Sequence, residues 1–136
     1  MSTLILDSSV YVSYFGQDAN TPQSKAFWRS LESYSPEIVV PSLVVTETLV
    51  SLSKQKVSYL NLISKYFKST PIFFINLGFL NNLPDYLTSP PKLKTSDFLI
   101  ALIAKLHSAT LITWDKRLLD NQVCPTTTPE KYIIEA

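Results

Sequence analysis

Short apolar runs rich in Ile, Val, Leu, Phe and Thr recur at residues 3–6, 37–40, 71–76 and 110–113, separated by stretches of helical period. Runs this short fit strands buried on both faces, and the longer segments between them fit helices. Strands alternating with helices pair in parallel through right-handed crossovers, which places helices on both faces of one sheet. The expected architecture is therefore α/β in three layers, with a sheet of about five parallel strands flanked by helices. A short strand near residues 122–125 would be the fifth. A length of 136 residues suits a single domain spanning 1–136, and no repeat, low-complexity tract or linker divides it.

Local signals place the helices. Residues 10–15 read as a short helix capped by Asp7 or Ser8. Thr21 and Pro22 open a helix to about Tyr34, with Thr21 as the N-cap and Pro22 at the first helical position. Pro41 and Ser42 turn the second strand into a helix over residues 42–53, which residues 54–56 interrupt. Further helices are expected over 57–68, over 77–87 with a bend near Pro84, and over 96–109, with Ser89-Pro90-Pro91 as a loop. Thr128-Pro129-Glu130 reads as a cap and first turn, so the tail should be helical.

Four acids stand out against this frame. Asp7 ends the first strand and Asp115 follows the strand at 110–113, at the carboxyl ends where open α/β sheets bind ligands. Glu47 lies in a helix among Leu43, Val44 and Val50, where a carboxylate is costly unless paired or metal-bound. Asp97 opens a helix and shares a face with Ala101, Ala104 and Ser108, whose small size allows close approach to the strands. Each acid alone has a plainer explanation: a cap for Asp7, a dipole partner behind Thr95 or Ser96 for Asp97, a turn for Asp115. Their joint arrival at one edge is what points to a site. Convergent carboxylates coexist only with a cation, and oxygen-only donors suit Mg²⁺ or Mn²⁺. Such ions activate water and stabilise leaving oxygens in phosphoryl transfer, so a metal-dependent nuclease is expected. Ser9 and Thr113, two residues from Asp7 and Asp115, are candidates to orient the carboxylates. Lys92, Lys94, Lys116 and Arg117 flank the acids and are candidates to face phosphate.

Other chemistries are poorly served. Only Gly16 and Gly78 are glycines, and neither belongs to a phosphate-cradling loop. One cysteine, Cys124, and one histidine, His107, exclude an internal disulfide and leave zinc little to bind; His107, on an apolar helix, reads as structural. A formal charge of +1 gives no general basic footprint, so any phosphate contact must come from local cations. No leader-like segment or run long enough to span a membrane is evident, so a soluble, cytoplasmic chain is expected.

In order and spacing these motifs resemble the PIN-domain ribonucleases, especially VapC-type toxins of toxin–antitoxin pairs. Leu4-Ile5-Leu6-Asp7-Ser8-Ser9-Val10 resembles that family's first strand, first metal-binding Asp and adjacent hydroxyl residue. The segment from Pro41 to Glu47, Ser96-Asp97, and Thr110-Leu111-Ile112-Thr113-Trp114-Asp115 resemble those carrying its remaining acids, and Thr128-Pro129-Glu130 its usual ending. Phe98, where a small residue is usual, and Trp114, before the last acid, depart from the pattern. The resemblance implies a PIN-like fold, Mg²⁺ or Mn²⁺ held by Asp7, Glu47, Asp97 and Asp115, cleavage of RNA, and a small antitoxin partner.

Competing functions are a housekeeping RNA-processing nuclease of the same fold and an inactive module that keeps the fold only to bind. A haloacid-dehalogenase-like phosphatase would need a second Asp where Ser9 stands, and a receiver domain would need paired acids early in the chain. A homodimer is expected as well. Only 17% of residues are charged, below the usual value of about 25%. Tyr59, Leu60, Leu62, Ile63, Tyr66 and Phe67 span roughly 160° of a helix, wider than the ~100° stripe that reaches a chain's own core. Tyr11, Tyr14 and Phe15 are candidates for an apolar groove that an antitoxin segment would occupy, with Arg side chains reaching the acids.

Overall fold

Strand β1 (Thr3–Leu6) is central, as the unbroken run Leu4-Ile5-Leu6 requires: all three side chains are fully buried. The computed structural model describes residues 2–74, 79, 81, 83–87 and 92–135. After β1 come α1 (Ser8–Phe15), α2 (Thr21–Tyr34), β2 (Glu37–Ile38), β3 (Val40–Pro41), α3 (Ser42–Lys54), α4 (Leu60–Lys68) and β4 (Ile72–Phe73). A 3-10 turn at Leu83–Tyr86 is followed by α5 (Thr95–Leu106), β5 (Thr110–Ile112), α6 (Lys116–Asp120), β6 (Thr126–Thr127) and α7 (Pro129–Glu135).

All pairings are parallel. One sheet runs β2-β1-β5-β6, and β3 pairs with β4. β2 and β3 together form one extended segment with neighbours on both sides. Val39 N–H donates to Leu4 O at 3.0 Å, and Val40 N–H turns the other way to Pro71 O, also at 3.0 Å. Alternate residues of a parallel strand face opposite neighbours, so this segment joins the two sheets into the expected order of about five strands. Among the described residues, no helix is long and apolar enough to cross a membrane.

The helices pack by their own periodicity. α2 buries Thr21, Ser24, Phe27 and Leu31, one face of a helix. α5 buries Phe98 and everything from Ile100 to Ala104, so it is apolar nearly all round and lies inside the molecule. Close approach of α1 to α3 is visible at Gly16, where a Cβ would sit 2.8 Å from Val12 O and 3.1 Å from Leu52 Cδ2.

Several boundaries differ from expectation, each for a local reason. The strand expected at 122–125 forms at Thr126–Thr127 instead. Residues 116–120 are taken up by the unforeseen α6, and the ladder begins only where Pro125 O accepts from Leu111 N–H (2.9 Å). The helix expected from 57 begins at Leu60, because Val57 N–H turns back to Leu52 O (3.1 Å) and closes α3 across Lys56 (φ 58°). The helix expected to reach Ala109 ends at Leu106 in the same way. Ser108 takes φ 50°, while Ala109 N–H donates to Ala104 O (2.8 Å) and Ser108 N–H to Lys105 O (3.1 Å). Both ends are Schellman closures, built without glycine. Asn20, not Thr21, is the N-cap of α2; the Thr21 hydroxyl donates instead to Ser13 O at 2.7 Å. Thr128 does cap the tail, accepting from Lys131 N–H at 3.2 Å. Of the strand expected at 71–76, Ile72–Phe73 is observed; residues 75 and 76 lie outside the described residues. So do Ser89, Pro90, Pro91 and much of the helix expected at 77–87, within which Leu83–Tyr86 is a 3-10 turn.

Candidate active site

The register of β1 against β5 builds the site. Leu6 lies opposite Ile112, so the next residues, Asp7 and Thr113, leave the sheet side by side. Asp7 is buried and its Oδ2 accepts from both Ser9 Oγ and Thr113 Oγ1, each at 2.9 Å. Those hydroxyls are themselves held from behind: Trp114 N–H donates to Ser9 Oγ (3.0 Å) and Asp115 N–H to Thr113 Oγ1 (2.9 Å). Asp7 occupies the N-cap position of α1 without forming a side-chain cap bond. Its Oδ2 is taken up by the two hydroxyls, a duty beyond plain capping, while the Ser8 and Ser9 amides at the start of α1 also favour its charged form.

The other acids arrive from three helices. Asp97 stands in the first turn of α5, whose N-cap position is Lys94 without a side-chain bond, so neither Thr95 nor Ser96 caps it. Asp115 is the N-cap of α6, its Oδ1 accepting from Arg117 N–H at 2.8 Å, which is a structural duty beyond a simple turn. Glu47, on α3, has Oε1 buried with no hydrogen-bond partner. Val50, expected beside it, points to solvent at 48% exposure. All four acids line one cleft of about 400 Å³, together with Ser8, Ser9, Asn20, Ser51, Lys94 and Trp114 among others.

The electrostatics record this convergence. Burial pushes the Glu47 carboxyl up to about 7, with the Asp7 and Asp97 charges adding to the effect. Asp97 is also raised, first by burial and then by Asp115 and Asp7, while Lys94 and Arg117 pull it back. Burial raises Asp7 against the hydrogen bonds from Ser9 and Thr113 and the nearby Ser9 and Ser8 amides. Carboxylates that raise one another by proximity want a shared cation. Among the described residues, no three acids are gathered tightly enough to form a ready metal cluster; they line the cleft without meeting at a point. The donor set nevertheless fits a hard divalent ion, since it is all oxygen and includes the unpartnered Glu47 Oε1.

Of the expected phosphate-facing cations, Lys94 lines the cleft; Lys92, Lys116 and Arg117 are exposed outside its lining. Lys116 and Arg117 fall in the first turn of α6, which Asp115 caps, and Arg117 is still near enough to act on Asp97. Asp18, Asn20 and Ser51 line the cleft without having been singled out. Ser51 was findable, being one turn on from Glu47 along α3; Asp18 and Asn20 enter through a loop, where Asn20 N–H donates to Asp18 Oδ1 (2.8 Å), and loop placement has no periodicity to read. His107 is structural, its Nδ1 2.8 Å from Ile103 O and its ring edge-on to Phe73. Tyr11, offered for a groove, is fully buried among Phe15, Trp28 and Phe67.

The hydroxyl pair makes a checkable prediction. Thr113→Val keeps the shape but removes one donor to Asp7 and the acceptor for Asp115 N–H. Divalent-ion affinity, followed by calorimetric titration, should fall about 10–100-fold, the usual cost of removing an orienting partner. Unchanged affinity would show that Asp7 is positioned by the backbone alone.

Comparison with known proteins follows the same lines. Among curated proteins none matches the sequence significantly. The fold is shared with VapC20 of Mycobacterium tuberculosis, described as a Sarcin-Ricin loop cleaving toxin (TM-score 0.67, 12% identity, covering 83% of this chain and 90% of that one). It is similar to a toxin–antitoxin complex from Klebsiella pneumoniae (TM-score 0.67, 20% identity, 93% and 97% covered). VapBC2 from Rickettsia felis, solved with a DNA fragment from its promoter, is also similar (TM-score 0.62, 15% identity, 93% and 98% covered). The PIN domain family profile matches residues 4–122, from the first strand to just beyond α6, and the chain belongs to the PIN domain family.

Proposed function

We propose that this protein is a single-domain, metal-dependent endoribonuclease acting in the cytoplasm as the toxin of a toxin–antitoxin pair. The observation that carries the reading is the partnerless, buried Glu47 Oε1 in a cleft shared with three other acids. A bound cation relieves that arrangement by pairing with the carboxylates. Asp7, Glu47, Asp97 and Asp115 would hold Mg²⁺ or Mn²⁺, which when bound supplies charge to stabilise a phosphodiester undergoing displacement. Ser9 and Thr113 fix the direction of Asp7, and Lys94 is the cation of the cleft placed to meet a phosphate oxygen. The direct test is incubation of purified protein with RNA in Mn²⁺ and in excess EDTA. Cleavage leaving 5′-phosphate ends in Mn²⁺ alone is expected. Equal cleavage in EDTA would remove the metal mechanism, and binding of RNA without cleavage would favour an inactive module.

The antitoxin assignment is supported by a second groove of about 510 Å³ between α1, α2 and the start of α4, lined by Tyr14, Phe15, Trp28 and Tyr59 with Arg29 at its side. Helix α1 has Ser8 and Ser9 in the acidic cleft and Tyr14 and Phe15 in this groove. The two are thus about one short helix, ~12 Å, apart. An extended segment lying in the groove would reach the acids, and an Arg at its end would pair with them as a fork. Expression alone should slow growth, and co-expression of an adjacent small gene should restore it; unimpaired growth with active protein would favour the housekeeping nuclease.

A homodimer is also proposed. α4 buries Ile63 and Phe67 but leaves Leu62 65% exposed, and Tyr59 just before it is 43% exposed, so only part of the wide apolar stripe reaches its own core. Light scattering at tens of micromolar should give twice the chain mass of 15.3 kDa, and a monomer there would end this proposal.

A further inference from the structure

Trp114 is the large residue of the cleft for which the proposed chemistry has no use. Two hydrogen bonds fix it: its backbone N–H donates to Ser9 Oγ (3.0 Å), and its indole Nε1 donates to Ser24 Oγ (2.8 Å). Ser24 is fully buried on α2 and hydrogen-bonded to the equally buried Ser13 of α1. The indole is therefore pinned by its one polar atom to the α1–α2 interface, while the residue, partly buried against the core, also lines the cleft. Trp28, by contrast, spends its ring inside a cluster with Tyr11, Tyr14 and Phe27. Trp114 takes no part in that cluster and packs instead at the edge of the core. With its N–H already satisfied, what remains of the Trp114 side chain is apolar π surface, beside a lining otherwise made mostly of carboxylates, hydroxyls, an amide and an ammonium.

Phosphate and metal are served by the charged groups, and neither has any use for an indole face. The part of a nucleic acid that does is the base. We propose that Trp114 is a stacking platform for the nucleobase next to the scissile phosphate, so that the protein cuts RNA where that base is unpaired. The proposal rests on the ribonuclease reading and deepens it. Trp114 directly precedes Asp115 and shares Ser9 with Asp7, so a base stacked on it belongs to a nucleotide flanking the cut. A base held there must leave its own helix stack, which is easiest in loops, bulges and single strands.

The test uses the intact protein in EDTA, where cleavage is stopped, with a single-stranded RNA oligonucleotide carrying one abasic nucleotide moved stepwise along it. Stacking on an aromatic side chain is lost with either partner. Wild-type binding should weaken about tenfold to hundredfold at one abasic position, and Trp114→Ala should weaken the intact oligonucleotide to the same extent. On Trp114→Ala that abasic position should then cost nothing further. Trp114→Phe keeps a stacking face without the bond to Ser24 and should keep the position-specific loss. If abasic effects are the same in wild type and Trp114→Ala, or if Trp114→Phe loses the position dependence, Trp114 only holds α2 against the end of β5 and the proposal falls. Wild-type cleavage of RNA in Mn²⁺ with a flat abasic profile overturns the stacking role alone. No cleavage and no binding of any RNA overturns the ribonuclease reading with it.

Discussion

Replacing Asp97 by Asn should remove nearly all nuclease activity and leave the fold intact. The substitution keeps the size and the hydrogen-bonding reach of the side chain and deletes only its charge, in the first turn of α5 beside a cleft already crowded with carboxylates. Loss of a direct donor should cost more than the 10–100-fold typical of orienting partners, so a fall of at least about 100-fold in Mn²⁺-dependent cleavage is expected. Stability should move the other way. Asp97 is one of the charges that raise Glu47, so the metal-free Asn variant should melt higher than wild type near neutral pH. Added Mg²⁺ stabilises any chain that binds it when folded, by about 2.7 kcal/mol at a hundred times its dissociation constant, and this gain should shrink in the variant. Paired melting curves with and without Mg²⁺ check both statements. A variant that stays fully active, or gains as much from Mg²⁺ as wild type, would take Asp97 out of the metal site.

The second large effect concerns pH. Glu47 holds its proton up to about 7 in the folded protein against 4.5 in an unconstrained chain. A carboxyl raised on folding favours the folded state while it is protonated. That contribution is complete below the unfolded value and is lost as pH rises from about 4.5 through about 7. Asp7 and Asp97 are shifted in the same direction and add to the slope. Metal-free protein should therefore be less stable at about pH 8 than at about pH 5.5, opposite to the usual gain on leaving acid. Mg²⁺ should reverse the trend, because its ligands must be deprotonated and its affinity climbs with pH. Glu47→Gln should flatten the metal-free slope. Superimposable wild-type and Glu47→Gln profiles between about pH 5 and pH 8 would show that the buried carboxyl carries no such charge penalty.

Much of this protein was written locally. The run Leu4-Ile5-Leu6 predicts a strand buried on both faces, Thr128 caps the last helix as its side chain dictates, and α3 starts where Pro41 and Ser42 announce it. Such signals depend on neighbours a few residues apart, so the sequence alone contains them. The order of strands and helices follows too, since alternation leaves little choice of topology. That Asp7 and Asp115 sit at strand ends was legible for the same reason.

Tertiary structure decided what depends on distant partners. The surroundings of Asp7 were decided by Thr113, 106 residues away, through the register of β1 and β5. The place of Trp114 was settled by Ser24, 90 residues away, and the sequence held no sign of that bond. Tyr11 looked like its neighbours Tyr14 and Phe15 but went to the core, because the side of α1 that faces α3 and the sheet depends on how three elements pack together. The slip of the last strand from 122–125 to Thr126–Thr127 has the same origin: where a short edge strand begins is set by which N–H groups β5 leaves to pair, and not by its own few side chains. Periodicity fixes an element and its faces; only the meeting of remote elements fixes which face is inside and which side chains share a charge.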